Sequence, residues 1–411
     1  MDRTILHCDC NGFFASVECV FRPQLRDVPM AVCGDPESRH GIILAKNELA
    51  KAKGVTTAET VWQAKKKCPE LVLVPPRHDA YADFSRRVNA IYARYTDMVE
   101  PFGIDESWLD VTASRALFGD GRQIADTLRR VVREETGLTI SAGVSFNKVF
   151  AKLGSDYRKP DATTVFARED VERLVYPLPV SSLLFVGKAA EKTLAEMYIH
   201  TIGDLARADR AYVVGRLGKL GELLHDYANG LDDSPVRRFG EKPEPKSVGN
   251  GMTFRRDLAG YEELRTGVGL LADEVATRLR RQGLYARAVQ VTVKDPALRS
   301  RSRQRTLSAA TALARELTDA VMVLLREFWP EQAPVRMLTV TAMQLTDSPE
   351  GAQLSLFAQE DAGHERLLKL ESAMDGIRQK YGSKAIRSAA MLGRDFCEDV
   401  SSEEEKERKQ T

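Results

Sequence analysis

The chain has 411 residues, with 60 basic and 59 acidic side chains for a net charge of +1, and is 43% hydrophobic and 29% charged. That length suggests two to four domains, and the balance is that of a soluble globular protein with a sizeable core. No apolar run approaches the roughly 20 residues of a membrane span, the N-terminus lacks the basic-then-apolar order of a signal peptide, and the six cysteines (Cys8, Cys10, Cys19, Cys33, Cys68, Cys397) never form a CxxC pair, which disfavours zinc and predicts reduced thiols and a cytoplasmic location.

Over the first 165 residues short apolar strands alternate with helices. "TILHCD", "PMAVCG", "GIILA" and "LVLVPP" read as strands. "DAYADFSRRVNAIYARYT" is amphipathic at helical period, with Tyr81, Phe84, Val88, Ile91 and Tyr95 on one stripe. "WLDVT" and "TISAGVS" are again strands, on either side of the helix "GRQIADTLRRVVREETG". This is an α+β or α/β pattern. From about 166 to 232 the chain is helical with short glycine-containing breaks, "FVGK" and "LGKLG". "RRFGEKPEPKS" reads as a linker. Beyond it helices alternate with strands, of which "AVQVTVKD" and "VRMLTVTAMQL" are the clearest, before "QLSLF", a last helix over 364–381 and a mixed-charge terminus. Charge is uneven: Arg278 to Arg305 holds nine basic side chains and one acid, Asp295, the pattern of a local polyanion site.

The chemistry-bearing candidates are acids. Asp9 follows a strand and opens a helix, which suits a turn or N-cap residue as well as a ligand. Asp105 and Glu106 are adjacent at the start of a strand. A regular strand sends neighbours to opposite faces; a strand end or turn beside Gly103 would let both converge, or would leave them as an exposed hairpin tip. Taken together, three carboxylates suit a pair of hard divalent ions, and magnesium above all, which completes its shell with water and substrate phosphates. That is the chemistry of phosphoryl and nucleotidyl transfer.

"DCNGFFASVE", "GIDESWLDV" and "SAGVSFNKVFAKLGSDYRKP" are similar, in order and spacing, to the signature blocks of the Y-family translesion DNA polymerases. The resemblance runs from residue 1 to about 357 and is strongest to the DinB branch. It implies an α+β right-hand polymerase: a ferredoxin-like palm (1–19 and 76–165), small fingers (20–75), a helical thumb (166–232), a linker (233–245), an α+β little finger (246–347) and a tail (348–411). It implies that Asp9, Asp105 and Glu106 hold two Mg2+ ions, with the Cys10 main-chain carbonyl, and that Phe14 is the ring that rejects a ribose 2′-hydroxyl. Phe13 is expected to pack inward. Lys51 and Lys159 would meet the triphosphate; at Lys51 the family usually has an arginine, and lysine loses its bidentate fork. Lys188 and Lys219, beside the two glycine-containing turns, Lys246, and the period-two arginines Arg299, Arg301, Arg303 and Arg305 would grip DNA phosphates. The arginines would line one face of a strand; a charged edge that discourages aggregation is the other reading. Gln353, Leu354, Leu356 and Phe357 resemble the peptide that binds the bacterial sliding clamp.

The implied activity is error-prone, template-directed primer extension with deoxynucleoside triphosphates, without proofreading, by a monomer working with DNA and the clamp. Phe185 stands where a glycine is common, Asn11 where many members have a second acid, and Glu48 where a tyrosine usually meets the triphosphate. Asn11, Lys51 and "FRPQLR" are shared with the UmuC branch, whose members work as subunits with partners. A nucleotidyl cyclase on a related palm and a catalytically silent clamp- or DNA-binding homologue are the rival readings; Glu48 favours the second, the three acids oppose it.

Overall fold

A computed structural model describes residues 2–35, 41–348, 362–382 and 385–386. The peptide Gln353–Phe357 lies outside them. The chain forms two compact units, one ending at Lys242 and the other starting at Pro243.

In the first unit the chain runs β1 (Ile5–Cys10), α1 (Phe13–Phe21), β2 (Met30–Cys33), β3 (Ile43–Lys46), α2 (Glu48–Ala52), α3 (Val61–Lys67), β4 (Val72–Val74), α4 (His78–Tyr92), β5 (Val99–Pro101), β6 (Glu106–Asp110), α5 (Arg115–Phe118), α6 (Gly121–Thr136), β7 (Ile140–Ser145), α7 (Lys148–Tyr157) and β8 (Thr163–Phe166). Five strands make one sheet in the order β5-β6-β1-β7-β8, and β3-β2-β4 make a smaller one. The central strand β1 is antiparallel to both neighbours and buried on both faces. Its even residues Leu6, Cys8 and Cys10 join the core under α1, α4 and α6, with Phe13, Tyr81, Phe84, Ile124 and Leu128. Ile5, on the other face, packs with Trp108 of β6 and Ala151 of α7. The pleat alone therefore sends Asp9 to the α7 side.

α7 comes unusually close to the sheet there. A Cβ on Gly143 of β7 would stand 1.9 Å from the Ala151 carbonyl and 2.4 Å from the Ser155 nitrogen, so only glycine lets the two backbones touch. Gly12 serves the other end of β1: it turns the chain into α1 with φ 53°, and a Cβ there would press on the Lys46 carbonyl at 3.0 Å.

The rest of the unit is helical: α8 (Lys188–Glu196), α9 (Ile202–Arg207), α10 (Arg210–Leu217) and α11 (Lys219–Ala228), packed around Leu194, Ile202, Leu205, Val213 and Leu224. The segment read as a linker is tied down at its start. Val236 is buried against Ile5 and Trp108, Arg237 donates through its main-chain N–H to Glu100 at 2.9 Å, and the Phe239 N–H reaches the Asp97 carbonyl.

The second unit comprises β9 (Ser247–Leu258), α12 (Tyr261–Arg281), β10 (Tyr285–Lys294), β11 (Ser300–Thr311), α13 (Ala314–Phe328), β12 (Val335–Thr346) and α14 (Ala362–Tyr381). The sheet order is β11-β10-β12-β9, with α12 and α13 on the face that carries Val289, Val291, Val293, Leu338 and Val340. α14 is clasped to α12. Arg280, almost buried, pairs with Glu371 and Asp375, Arg378 pairs with Asp273 at 2.7 Å, and the buried Glu371 carboxylate also accepts the Ala314 N–H that opens α13.

Candidate active site

Asp9 and Glu106 lie directly opposite each other in the β1–β6 register, so both side chains project toward α7. Asp105 sits one residue before β6, and its carbonyl accepts the Cys10 N–H at 2.9 Å. Strand end and bend thus bring two consecutive acids to one corner. The Cys10 thiol is buried in the opposite layer, in the α1–α4–α6 core, and burial raises its pKa well above the usual value. Only the main chain of Cys10 is left for the site.

Two lysines thread the acids. Lys152 of α7 reaches Glu106 at 2.8 Å, Asp9 at 3.2 Å and Asp156 at 3.2 Å. Lys159 reaches Asp9 at 2.8 Å and Asp156 at 2.6 Å. Lys152 and Asp156 have the i, i+4 spacing of one face of α7, and Lys159 follows just past the helix end. Burial disfavours both ammoniums, but Asp156, Asp9 and Glu106 outweigh it for Lys152, and Asp9 and Asp156 for Lys159, so both pKa values rise. Lys152 and Asp156 were not among the candidates read from sequence, although that spacing was available to find them.

The acids feel each other differently. Burial, with Asp9 and Glu106 nearby, pushes the Asp105 carboxyl up to about 6. Glu106 is also opposed by burial, but His7 and Lys152 bring it down to about 2. His7 is fully buried. Its Nδ1 is 2.8 Å from Ser155 Oγ, its Nε2 3.3 Å from Glu106, and burial lowers its pKa. It too escaped the sequence reading, where it looked like one more residue of an apolar strand; its parity with Asp9 was the available signal. Among the described residues no three carboxylate, thiol or imidazole groups already stand as a metal-ligand cluster. The donor set nevertheless suits hard cations: oxygen ligands, one acid whose ionisation is suppressed by burial and then by like charge, and ammoniums holding the acids together.

Phe14 and Phe13 diverge at the start of α1. Phe13 is 3% exposed, in the core. Phe14 is half-buried and stacks flat on Tyr81, with centroids 4.2 Å apart and planes 13° from parallel. Tyr81 in turn donates its hydroxyl to Glu18 at 2.8 Å. Glu18 is a fully buried carboxylate that also takes two bonds from Arg77 and one from Arg22. A buried charge is tolerated only when partnered in this way. Asn11 bonds Thr139 and Ser141 at the start of β7, with its side chain spent on structure.

Among the described residues the remaining sequence candidates make no hydrogen bond or ion pair with this cluster. The exposed Lys51 pairs with Glu48 at 3.3 Å on α2, so Glu48 is turned to a cation on its own helix. Lys188 and Lys219 are the exposed first residues of α8 and α11, after Gly187 and Gly218. Phe185 takes the left-handed turn that glycine would, with φ 69°, and lies 6.2 Å from the Tyr227 ring. Lys246 is exposed just before β9.

Three of the four arginines share one face of β11, as their period implies. Arg299 precedes β11, its N–H on Asp295. Arg301, Arg303 and Arg305 pair with Val293, Val291 and Val289, and opposed residues share a face. They therefore stand on the helix side of the sheet, exposed at its edge, with Arg303 over Phe328 at 5.5 Å and Arg305 3.4 Å from Glu327. The open face carries Ser302, Gln304, Gln290, Thr292 and Thr339 instead.

Residues 8–156 match the impB/mucB/samB family and residues 245–356 its C-terminal domain. The chain is 45% identical over 392 residues to the DNA polymerase IV of Acetivibrio thermocellus, covering 95% of this chain and 98% of that one. It is 40% identical to the DNA polymerase IV of Moorella thermoacetica, covering 95% and 96%. Among solved structures, a Y-family DNA polymerase chimera shares its fold with a TM-score of 0.75 at 23% identity, covering 84% of this chain and 100% of the chimera.

Proposed function

The chain belongs to the impB/mucB/samB family of Y-family DNA polymerases and is a DNA-directed DNA polymerase, and from that premise we propose that it performs error-prone translesion synthesis by a two-metal mechanism, without proofreading, at the Asp9–Asp105–Glu106 corner. The observation that carries the site assignment is the opposition of Asp9 and Glu106 across β1 and β6, with Asp105 beside them pushed up to about 6. Dependence on divalent metal goes with the family. Asp9, Asp105, Glu106 and the Cys10 carbonyl would hold two Mg2+ ions. When bound, such ions align the attacking and leaving oxygens of phosphoryl transfer and offset the charge that develops there.

The chain's own residues do the rest. His7 and Lys152 keep Glu106 ionised. Lys159, and Lys51 from α2, neutralise the triphosphate of the incoming deoxynucleotide. The Phe14 ring, backed by Tyr81, fills the space a ribose 2′-hydroxyl would need. Residues 1–19 and 76–165 serve as palm, 20–75 as fingers, 166–232 as thumb, 233–245 as linker, 246–347 as little finger and 348–411 as tail. Lys188, Lys219, Lys246, Arg299, Arg301, Arg303 and Arg305 hold the phosphate backbone without reading bases. Gln353, Leu354, Leu356 and Phe357 engage the sliding clamp, and the polymerase works as a monomer.

Primer extension by the purified protein with Mg2+, opposite undamaged and damaged templates, is the test. Asp105→Ala or Glu106→Ala is expected to slow extension by about 10³-fold or more, the several kcal/mol that metal catalysis supplies, while duplex binding persists. Near-normal turnover in either variant would reject the corner as the active site.

A further inference from the structure

Of the three tryptophans, Trp108 and Trp329 are 4% and 6% exposed, whereas Trp62 is 70% exposed. Trp62 is on α3, whose inner face, Val61 and Ala64, packs with Ile43, Val55, Cys68 and Leu71. Its outer face carries Trp62, Lys65 and Lys66, all exposed. The Lys66 ammonium lies 5.6 Å from the indole centroid. Among the described residues none covers this face. Lys51, Lys53 and Lys67 have acid partners, but neither Lys65 nor Lys66 has a carboxylate partner among the described residues. From Lys46 to Lys67 the chain holds six lysines and two glutamates. The face is linked to the active-site region through one short strand: the Val61 N–H donates to the Gly41 carbonyl and the Ile43 N–H to the Glu59 carbonyl, and the far end of β3, at Lys46, abuts Gly12.

An exposed indole beside uncompensated ammoniums matches a polyanion that also offers flat aromatic faces. Single-stranded DNA has both, one phosphate and one base per step, and bases stack on aromatic side chains without sequence preference. A paired duplex offers the phosphates but keeps its base faces inside. We propose that Trp62, with Lys65 and Lys66, is a stacking platform for an unpaired nucleotide of the template strand. This rests on the polymerase reading and adds to it a contact to DNA that is not yet copied.

The three tryptophans make the test direct. With wild-type protein, an oligothymidylate is expected to quench tryptophan emission and to shield it from iodide, since Trp108 and Trp329 are out of reach of both. Deoxynucleoside triphosphates alone are expected to do neither. Trp62→Ala should bind a primer–template with an unpaired 5′ template extension roughly tenfold more weakly, the scale of one lost base–aromatic stack, and a blunt duplex as before. Trp62→Phe should recover most of the loss. Lys65→Gln with Lys66→Gln should flatten the salt dependence on the extended template only. Unchanged emission while anisotropy shows the oligonucleotide bound, or equal affinity of Trp62→Ala for extended and blunt templates, overturns the platform and leaves the polymerase standing if primers are still extended. Quenching by free triphosphates also overturns it. Absence of all DNA binding overturns both.

Discussion

The acids at the end of β1 and the arginines along β11 both place charge on strands, and the two sites treat it in contrary ways. Around Asp9 and Glu106 the charges are tightly paired: Lys152 bridges both acids, Lys159 and Asp156 extend the chain, and His7 and Ser155 close it from behind. Along β11 the guanidiniums stand at an open edge with loose partners. A corner that must place oxygens to fractions of an ångström needs its members fixed in advance. On the proposed reading β11 has only to follow a phosphate backbone, which suits exposed cations with exchangeable counterions.

That contrast sets the sizes of the effects. Gly143→Ala drives a methyl into the α7 backbone. It is expected to lower kcat by about a hundredfold, the scale of an ångström-level misplacement, and to cost about 1–3 kcal/mol of stability or more; single-turnover extension and thermal unfolding measure the two. Phe14→Ala should reduce the preference for deoxynucleotides over ribonucleotides by roughly 10–100-fold, seen as the ratio of kcat/KM values, with the deoxynucleotide rate far less affected. Removing Arg301, Arg303 and Arg305 together, as glutamines, should leave kcat intact and reduce the slope of log affinity against log salt by up to about three. An unchanged slope would move the backbone grip away from this edge.

The smallest effect is in stability. Asp105 has its carboxyl raised from 3.8 to about 6, so the folded chain holds that proton more tightly than the unfolded one. Its contribution is therefore present at low pH and is lost as pH rises between those values. In chelator, Asp105→Asn is expected to match wild type below pH 4 and to exceed it by roughly 1–3 kcal/mol at pH 7. A constant difference across that range would mean that burial, with Asp9 and Glu106 nearby, does not raise the Asp105 pKa.

The contrast also explains what could be read from the chain beforehand. Asp9, Asp105, Glu106 and Phe14 sit in short local motifs with strong strand and turn punctuation. Lys152 and Asp156 form a local pair that helical spacing could have shown, but Lys152, His7, Glu18 and Tyr81 reach the partners that give them their roles across 46 to 148 positions, and that tertiary pairing is not a property of any window. The β11 arginines were visible as a period-two row, but which face they take depends on the register with β10, and that is fixed by burying three valines.

Backbone meets backbone at Gly143 and α7, with no side chain between them to act as padding. Such a seat has no slack: a rotamer cannot be exchanged to absorb a shove, so any tilt of α7 is passed whole to its ammonium tips. Most of that helix is buried, and its height above the sheet is keyed to a peptide plane. On the proposed translesion reading, tolerance of misshapen templates is expected in the pocket's rim and not in its floor.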